Sequence, residues 1–392
     1  MKILFLTFYF HPDLCACSFR ATPLAEVLSS DPRVSRLDVF TTMPNRYSNY
    51  SVEALKTEQR NRMTIHRVVL PHHKSGMLDQ SKAFIHYWKA AWKFIKDSEY
   101  DIVVSTSSRL MTGFLGAKIS KKFGCPFYLD IRDLFSETIT ELLPFPVNRI
   151  LWPILSSIEK YTVRNSGHLN VVSEGFTPYF RINYNREPDS THTNGIDDIF
   201  SDSFQNNESK SLGDGEKINI LYAGNIGEGQ ALHTIIPHLA EKLGNKFHFT
   251  IVGNGGRLEL LKNSIATSKL GNVTLVGPVT RENLLEYYRT AHILFLHLGD
   301  IKAFERVLPS KIFEYAATGL PILAGVAGYA KQFLNSEVEN SRTFKPGDSN
   351  DAFGQIKELN LDFTNRGDFI IKYSRSVISR QMSDNIINLC DK

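Results

Sequence analysis

The chain is constrained first by its short, nearly unbroken apolar runs. Lys2–Phe8 (KILFLTF), Asp101–Ser105 (DIVVS) and Leu169–Ser173 (LNVVS) are rich in β-branched and aromatic residues and do not alternate with polar ones. Such runs suit strands covered on both faces, as in a parallel sheet; a strand with one wet face would alternate. Leu37–Thr42, Met63–Leu70 and Pro126–Ile131 complete the strand set of the first half. Helical periodicity fills the gaps at Phe19–Ser29, Asp79–Lys96, Thr112–Phe123 and Val147–Asn165. Strands that alternate with helices predict a doubly wound parallel sheet.

The pattern restarts at Ile218–Tyr222 and continues through strands at Phe247–Val252, Val273–Val276, Ile293–Leu298 and Pro321–Ala324. Helices are predicted after each, including Thr280–Thr290 behind a threonine cap and Pro309–Thr318 ending at Gly319. A chain of 392 residues exceeds one ordinary core, so two Rossmann-like α/β domains are expected. We place the first at 1–188, a polar linker at 189–216 and the second at 217–371. A terminal helix near 372–392 is expected to pack back on the first domain.

Composition narrows the function classes. No stretch approaches the roughly 18 apolar residues that span a bilayer. The N-terminal run ends at His11-Pro12 without a small-residue cleavage site, so a buried strand is expected rather than a signal peptide. Four cysteines, at 15, 17, 125 and 390, form no disulfide framework and point to a reducing compartment. His11, Cys15 and Cys17 have no second ligand cluster, so no metal is expected there. Residues 1–190 carry 24 Lys and Arg against 18 Asp and Glu, net +6, whereas the remainder is net −2. The basic half is the one suited to an anionic surface or a phosphate-bearing substrate. No nucleic-acid recognition motif accompanies it.

Open α/β sheets bind ligands beyond the carboxyl ends of their strands, where glycines let the backbone approach phosphate. The second half has three such loops in succession: LYAGNIG at Leu221–Gly227, IVGNGG at Ile251–Gly256 and VGPV at Val276–Val279. The segment Leu308–Ile322 (LPSKIFEYAATGLPI) adds charge. Ser310 and Lys311 fall in the first turn of its helix, placed to hold a diphosphate, and Glu314 follows on the same face, placed to accept from two ribose hydroxyls. The bland alternative is a capped surface helix with Glu314 solvated.

In this order and spacing, LYAGNIG, FTIVGNGG, VTLVGPV and PSKIFEYAATGLPI resemble the donor half of family 4 glycosyltransferases of the GT-B fold. FYFHPD…SFRATPLAEVL, DIVVSTS, DIRDLFSE, VVSEGF and TNGID extend the likeness over nearly the whole chain, towards the bacterial surface-polysaccharide branch and its WbuB-like N-acetyl-L-fucosaminyltransferases. The resemblance implies two Rossmann-like domains facing a central cleft. It also implies retaining, metal-independent transfer from a nucleotide-sugar, UDP by default, to a polyprenyl-diphosphate-linked saccharide, with no cofactor. Glu314 matches the ribose-binding second glutamate of E-x7-E, with Lys311 and Ser310 at the diphosphate. Gly224, Asn225 and Gly227 would face the phosphates, and Gly253, Asn254, Gly277 and Pro278 the base. Asp130, Arg132, Asp133 and Glu137 would form the catalytic block. Arg20, Arg281 and Lys302 are candidates for the acceptor or diphosphate.

This chain departs from the family pattern at the first glutamate of E-x7-E, which falls on Arg306; Glu305 is one residue early. A donor sugar lacking some hydroxyls, such as a deoxy sugar, is consistent with that change. The stretch Ser81–Lys96, entered through Pro71-His72-His73-Lys74, places Phe84, Trp88, Ala91, Trp92 and Ile95 on one helical face, with Lys82, Lys89, Lys93 and Lys96 largely elsewhere. Together with Leu142–Leu155 it is a candidate for contact with the inner face of the bacterial cytoplasmic membrane. The alternative is an apolar stripe packed on its own sheet. A GT-B epimerase, or a nucleotide-binding scaffold subunit, would share the same motifs.

Overall fold

In the computed structural model, residues 1–13, 15–44, 53–71, 77–107, 109–143, 145–204 and 215–390 are described. They form two units, Met1–Asn194 with Arg375–Lys392, and Gly195–Ser374.

The first unit runs β1 (Lys2–Leu6), α1 (Ala16–Ser30), β2 (Arg36–Thr42), β3 (Thr57–Arg60), β4 (Met63–Val68), α2 (Met77–Phe94), β5 (Ile102–Thr106), α3 (Leu110–Phe123), β6 (Phe127–Ile131), α4 (Phe135–Leu142), α5 (Val147–Arg164), β7 (His168–Val171), α6 (Thr177–Tyr184) and β8 (Ser190–Thr191). The strands make one sheet in the order β3-β4-β2-β1-β5-β6-β7-β8. All its pairings are parallel except β3 on β4. The strand order reverses between β1 and β5, which marks the switch point of a doubly wound sheet. Every residue from Ile3 to Leu6 is buried, as a strand covered on both faces requires.

The second unit runs α7 (Asp198–Phe204), β9 (Ile218–Asn225), α8 (Leu232–Leu243), β10 (Phe247–Asn254), α9 (Leu258–Thr267), β11 (Val273–Val276), α10 (Arg281–Thr290), β12 (Ile293–His297), α11 (Lys311–Ala317), β13 (Ile322–Gly325), α12 (Gly328–Glu337), β14 (Ser341–Phe344), α13 (Ser349–Lys357) and α14 (Gly367–Lys372). Its parallel sheet has the order β11-β10-β9-β12-β13-β14, with the switch point between β9 and β12. Successive residues of β9 feed opposite cores: Leu221 and Ala223 join Leu294, Ile312 and Tyr315, while Ile220 and Tyr222 join Ile236, Phe249 and Phe295. The period-2 alternation of a strand thus serves two helical layers.

The chain then returns to the first unit as α15 (Arg375–Asn388). Ile378, Met382, Ile386 and Ile387 pack with Ala21, Leu24 and Leu28 of α1. α14 and α15 are separated by Tyr373 and Ser374. Tyr373 is buried against Phe313, Phe333 and Phe369, which holds α14 on the second unit.

The reading of 189–216 as a linker needs correction. Ser190–Thr191 extends the first sheet, and Asp198–Phe204 is a helix whose Phe200 and Phe204 are buried against Tyr288. Polar composition hid two core aromatics spaced one helical turn apart. The stretch Ser81–Lys96 also proves to be largely core-facing. Phe84, Tyr87, Ala91 and Ile95 are buried, and Tyr87 donates to the Phe40 carbonyl at 2.9 Å. Trp88 stacks on Phe114 of α3 with centroids 5.6 Å apart, and Lys122 lies over Trp92. His72, His73 and Lys74, which lead into it, lie outside the described residues, as does Leu14. Among the described residues no helix is long and apolar enough to cross a membrane.

Candidate functional site

The three glycine turns of the second unit close three adjacent strands, β9, β10 and β11, at their carboxyl ends. Gly253 has φ +149°, and a Cβ there would stand 1.9 Å from the Gly224 carbonyl oxygen. Only glycine permits this approach. The Ile226 amide donates to Asn254 O at 2.9 Å, and the Arg257 amide donates to Ile226 O at 2.9 Å. Asn254 Oδ1 accepts from the Gly255 amide at 2.7 Å. Asn225 Nδ2 donates to Gln230 Oε1 at 2.8 Å, and its side chain leaves no room for a Cβ at Gly227. Gly277 and Pro278 lie exposed at the β11 edge, and nothing stands within 4 Å of a Cβ at Gly277.

Beside these turns, α11 brings the charges expected of it. The helix begins at Lys311, with Ser310 as its N-cap residue, and ends before Gly319 at φ +72°. Lys311 Nζ donates to Glu314 Oε2 at 2.6 Å. Arg281 Nη2 lies 3.7 Å from Glu314 Oε1 and also pairs with Asp197. Glu314 is therefore a buried carboxylate between two cations, not the solvated group of the bland alternative. Tyr315, next in the helix, accepts from the Ala223 amide at 3.1 Å, which ties α11 to β9. Burial raises the Tyr288 phenol well above its ordinary range, and the Glu314 charge raises it further. Lys302 is exposed in the turn after β12, and Arg306 follows in the same turn.

One neighbouring residue escaped the sequence reading. His297, at the end of β12, is buried, with Nδ1 2.7 Å from Gln230 O and Nε2 2.9 Å from the Gly347 amide nitrogen. Burial lowers its pKa to about 4, so the ring is neutral at physiological pH. A lone histidine closing an apolar strand gives no signal of that role.

In the first unit, Asp130 lies near the carboxyl end of β6 and is fully buried. Arg20 of α1 grips both carboxylate oxygens at 2.9 Å, and Asn170 Nδ2 donates to Oδ1 at 2.7 Å. The same guanidinium donates to Thr193 O at 2.6 Å and His192 O at 2.8 Å. Burial alone would raise the Asp130 carboxyl, but Arg20, Arg132 and Asn170 outweigh it and hold the pKa below the ordinary value. His192 Nε2 accepts from Asn385 of α15 at 2.8 Å; burial, with Arg20 adding, lowers its pKa to about 4.

These contacts correct two expectations. Arg20 does not reach out for an acceptor or a diphosphate, and Asp130 is not placed to touch a substrate, because each is consumed by the other inside the fold. The rest of the block is more open. Arg132 Nη2 donates to Asn194 Oδ1 at 3.1 Å, while its buried Nη1 has no partner among the described residues. Asp133 is exposed, and Glu137 is half-buried in the first turn of α4. Ser136 and Tyr179 both bond Glu159, which fixes α4 against α5 and α6.

The family model described as glycosyl transferases group 1 matches residues 203–375, essentially the second unit. Compared with curated proteins, the sequence finds no match. Among solved structures, sucrose-phosphate synthase from Thermosynechococcus elongatus is similar at 14% identity and TM-score 0.70, covering 100% of this chain and 96% of that one. Anabaena Alr3699/HepE, solved in complex with UDP, is similar at 16% identity and TM-score 0.66, covering 98% and 99%. The lipopolysaccharide outer core galactosyltransferase WaaB is similar at 12% identity and TM-score 0.62, covering 99% of each chain. The chain thus has the two-domain GT-B fold and carries a group 1 glycosyltransferase domain, and glycosyl transfer is its class of reaction.

The buried pair gives a test. Asp130→Asn leaves the Arg20 charge inside the fold without its counter-ion, a loss of about 3–5 kcal/mol. Urea unfolding should show that destabilisation in the first unit, with UDP binding retained in the folded protein. A variant as stable as the wild type would contradict the buried-pair assignment.

Proposed function

We propose that this chain transfers a sugar from a nucleotide-sugar, UDP-linked, to a lipid-linked saccharide during bacterial surface-polysaccharide assembly, with retention at the anomeric carbon and without a metal. The observation that carries the donor half is Glu314 held between Lys311 and Arg281 beside three glycine turns. The neighbour HepE has been solved with UDP and with UDP-glucose. Here Lys311 exchanges Glu314 for the diphosphate, and the released carboxylate accepts from the ribose hydroxyls. Gly224, Asn225 and Gly227 face the phosphates, and the turns at Gly253–Asn254 and Gly277–Pro278 face the base. The chain contains no Asp-x-Asp, so the leaving diphosphate is neutralised by Lys311, Arg281 and Lys302. The bond from the anomeric carbon to phosphate breaks as the acceptor oxygen bonds on the same face, and the acceptor proton passes to the departing phosphate. In the first unit, Arg132 and Asp133 orient the acceptor, with Glu137 nearby. Asp130 and Arg20 hold that block in place. Arg306 in the family's glutamate position favours an N-acetylated deoxyhexose, as in the WbuB-like branch.

The lipid-linked acceptor is supported by WaaB among the neighbours and by one surface of the first unit. Phe145, Val147, Ile150, Trp152 and Ile154 are exposed around the start of α5, with Arg149 among them. An apolar strip with cations beside it suits the headgroup region of an anionic bilayer. On this reading the protein works in the cytoplasm, at the inner face of the membrane, through α5. The α2 stretch is already committed to α3.

Lys311→Ala and Glu314→Ala should each weaken UDP binding about tenfold or more, the loss expected from one charge-assisted contact. Calorimetry on the full chain reads this directly, and unchanged affinities would sink the donor-site assignment. In flotation with anionic phospholipid vesicles, the wild type should rise with the lipid and an Ile150→Ser/Ile154→Ser variant should not. A wild type recovered wholly in the soluble fraction would refute the membrane reading.

A further inference from the structure

The loop between β9 and α8 has backing from beneath that none of its own residues supplies. His297 is 1% exposed, at the carboxyl end of β12, the strand beside β9 at the switch point. The Gly347 amide can only donate, so Nε2 must be the acceptor of their 2.9 Å bond. The ring proton then sits on Nδ1 and is donated to Gln230 O, 2.7 Å away. Gln230 in turn holds Asn225 through its side chain, at 2.8 Å. A second bond from the same segment, Gly299 N to Gly229 O at 2.8 Å, fixes the loop one residue earlier.

The rest of the fold is built around this ring. A Cβ at Gly325, its register partner on β13, would stand 2.3 Å from His297 Cδ2 and 2.5 Å from the Phe344 ring. Phe295 and Phe344 stack on the imidazole with centroids 6.2 and 5.9 Å away. A hydrocarbon side chain would fill this cage as well. Only a group that donates at one end and accepts at the other can join the loop at Gln230 to the turn at Gly347.

We propose that His297 is a positioning residue for the donor nucleotide: its Nδ1–H bond to Gln230 O sets the Gly224–Gln230 loop, and with it Asn225 and Gly227, in the geometry that receives the diphosphate. The inference rests on the donor-site reading above. His297 touches no substrate and acts through Gln230. The bond to Gly347 selects the tautomer and keeps the ring from turning.

Two substitutions separate the two ends of the ring. His297→Asn places an amide nitrogen where Nδ1 stands and keeps the Gln230 bond. His297→Gln reaches the Nε2 position and keeps only the Gly347 bond. Calorimetry of the full chain with UDP should give His297→Asn an affinity within about threefold of wild type, and His297→Gln and His297→Phe a loss of about tenfold. Melting temperatures report core packing separately, so rescue by Asn but not Gln is a result that simple packing would not produce. Equal loss in Asn and Gln, or wild-type affinity in Gln, would overturn the inference. Lys311→Ala in the same series keeps the two readings apart. If it loses affinity while His297→Gln does not, only the positioning role fails. If it binds UDP as the wild type does, the donor site is misplaced and the role of His297 falls with it.

Discussion

The second unit is organised around the approach of Gly253 to the Gly224 carbonyl. A side chain at Gly253 would push β9 and β10 apart, since its Cβ has only 1.9 Å to that oxygen. With the ends together, the Ile226 amide reaches Asn254 O and ties the loop after β9 to the end of β10. The same carboxyl ends receive α11, which Tyr315 fastens to Ala223. Lys311 and Glu314 therefore meet Arg281, which comes from the separate helix α10. Placing backbone amides and paired charges at one sheet edge is what a diphosphate ligand requires.

The first unit solves a different problem with a buried ion pair. Arg20 and Asp130 are taken out of water, at a desolvation cost that only good geometry offsets. Here the geometry is a two-point grip at 2.9 Å with Asn170 completing the carboxylate's bonds. The remaining guanidinium hydrogens hold the backbone at 192 and 193, just before the chain passes into the second unit. His192 extends the network to Asn385 and so to α15. The pair thus joins β6, α1, β7 and the returning helix.

The sequence made the central strands plain because full burial on both faces favours apolar residues, as in Ile3–Leu6 and Ile293–Leu296. It also put Lys311 and Glu314 on one face of one helix, where they meet, since one helical turn fixes their spacing. Three of the four edge strands were not readable: β3 (TEQR), β8 (ST) and β14 (SRTF) are short and polar because one side faces water. The α2 tryptophans could not be assigned from periodicity, which gives a face but not what covers it. Arg20 was misjudged because its partner lies 110 residues away, and a charge near a βα turn reads as available until that partner is known. His297 left no trace because both its bonds go to backbone atoms.

The central claim is that the glycine turns after β9, β10 and β11, with α11, form the donor nucleotide site. Hydrogen–deuterium exchange of the full chain with and without UDP tests it most directly, because a bound diphosphate should slow opening of the amides around it. The account predicts added protection in Gly224–Ala231 and Lys311–Ala317, with little change in α5. Protection confined to the first unit, or none in those two segments at saturating UDP, would contradict it.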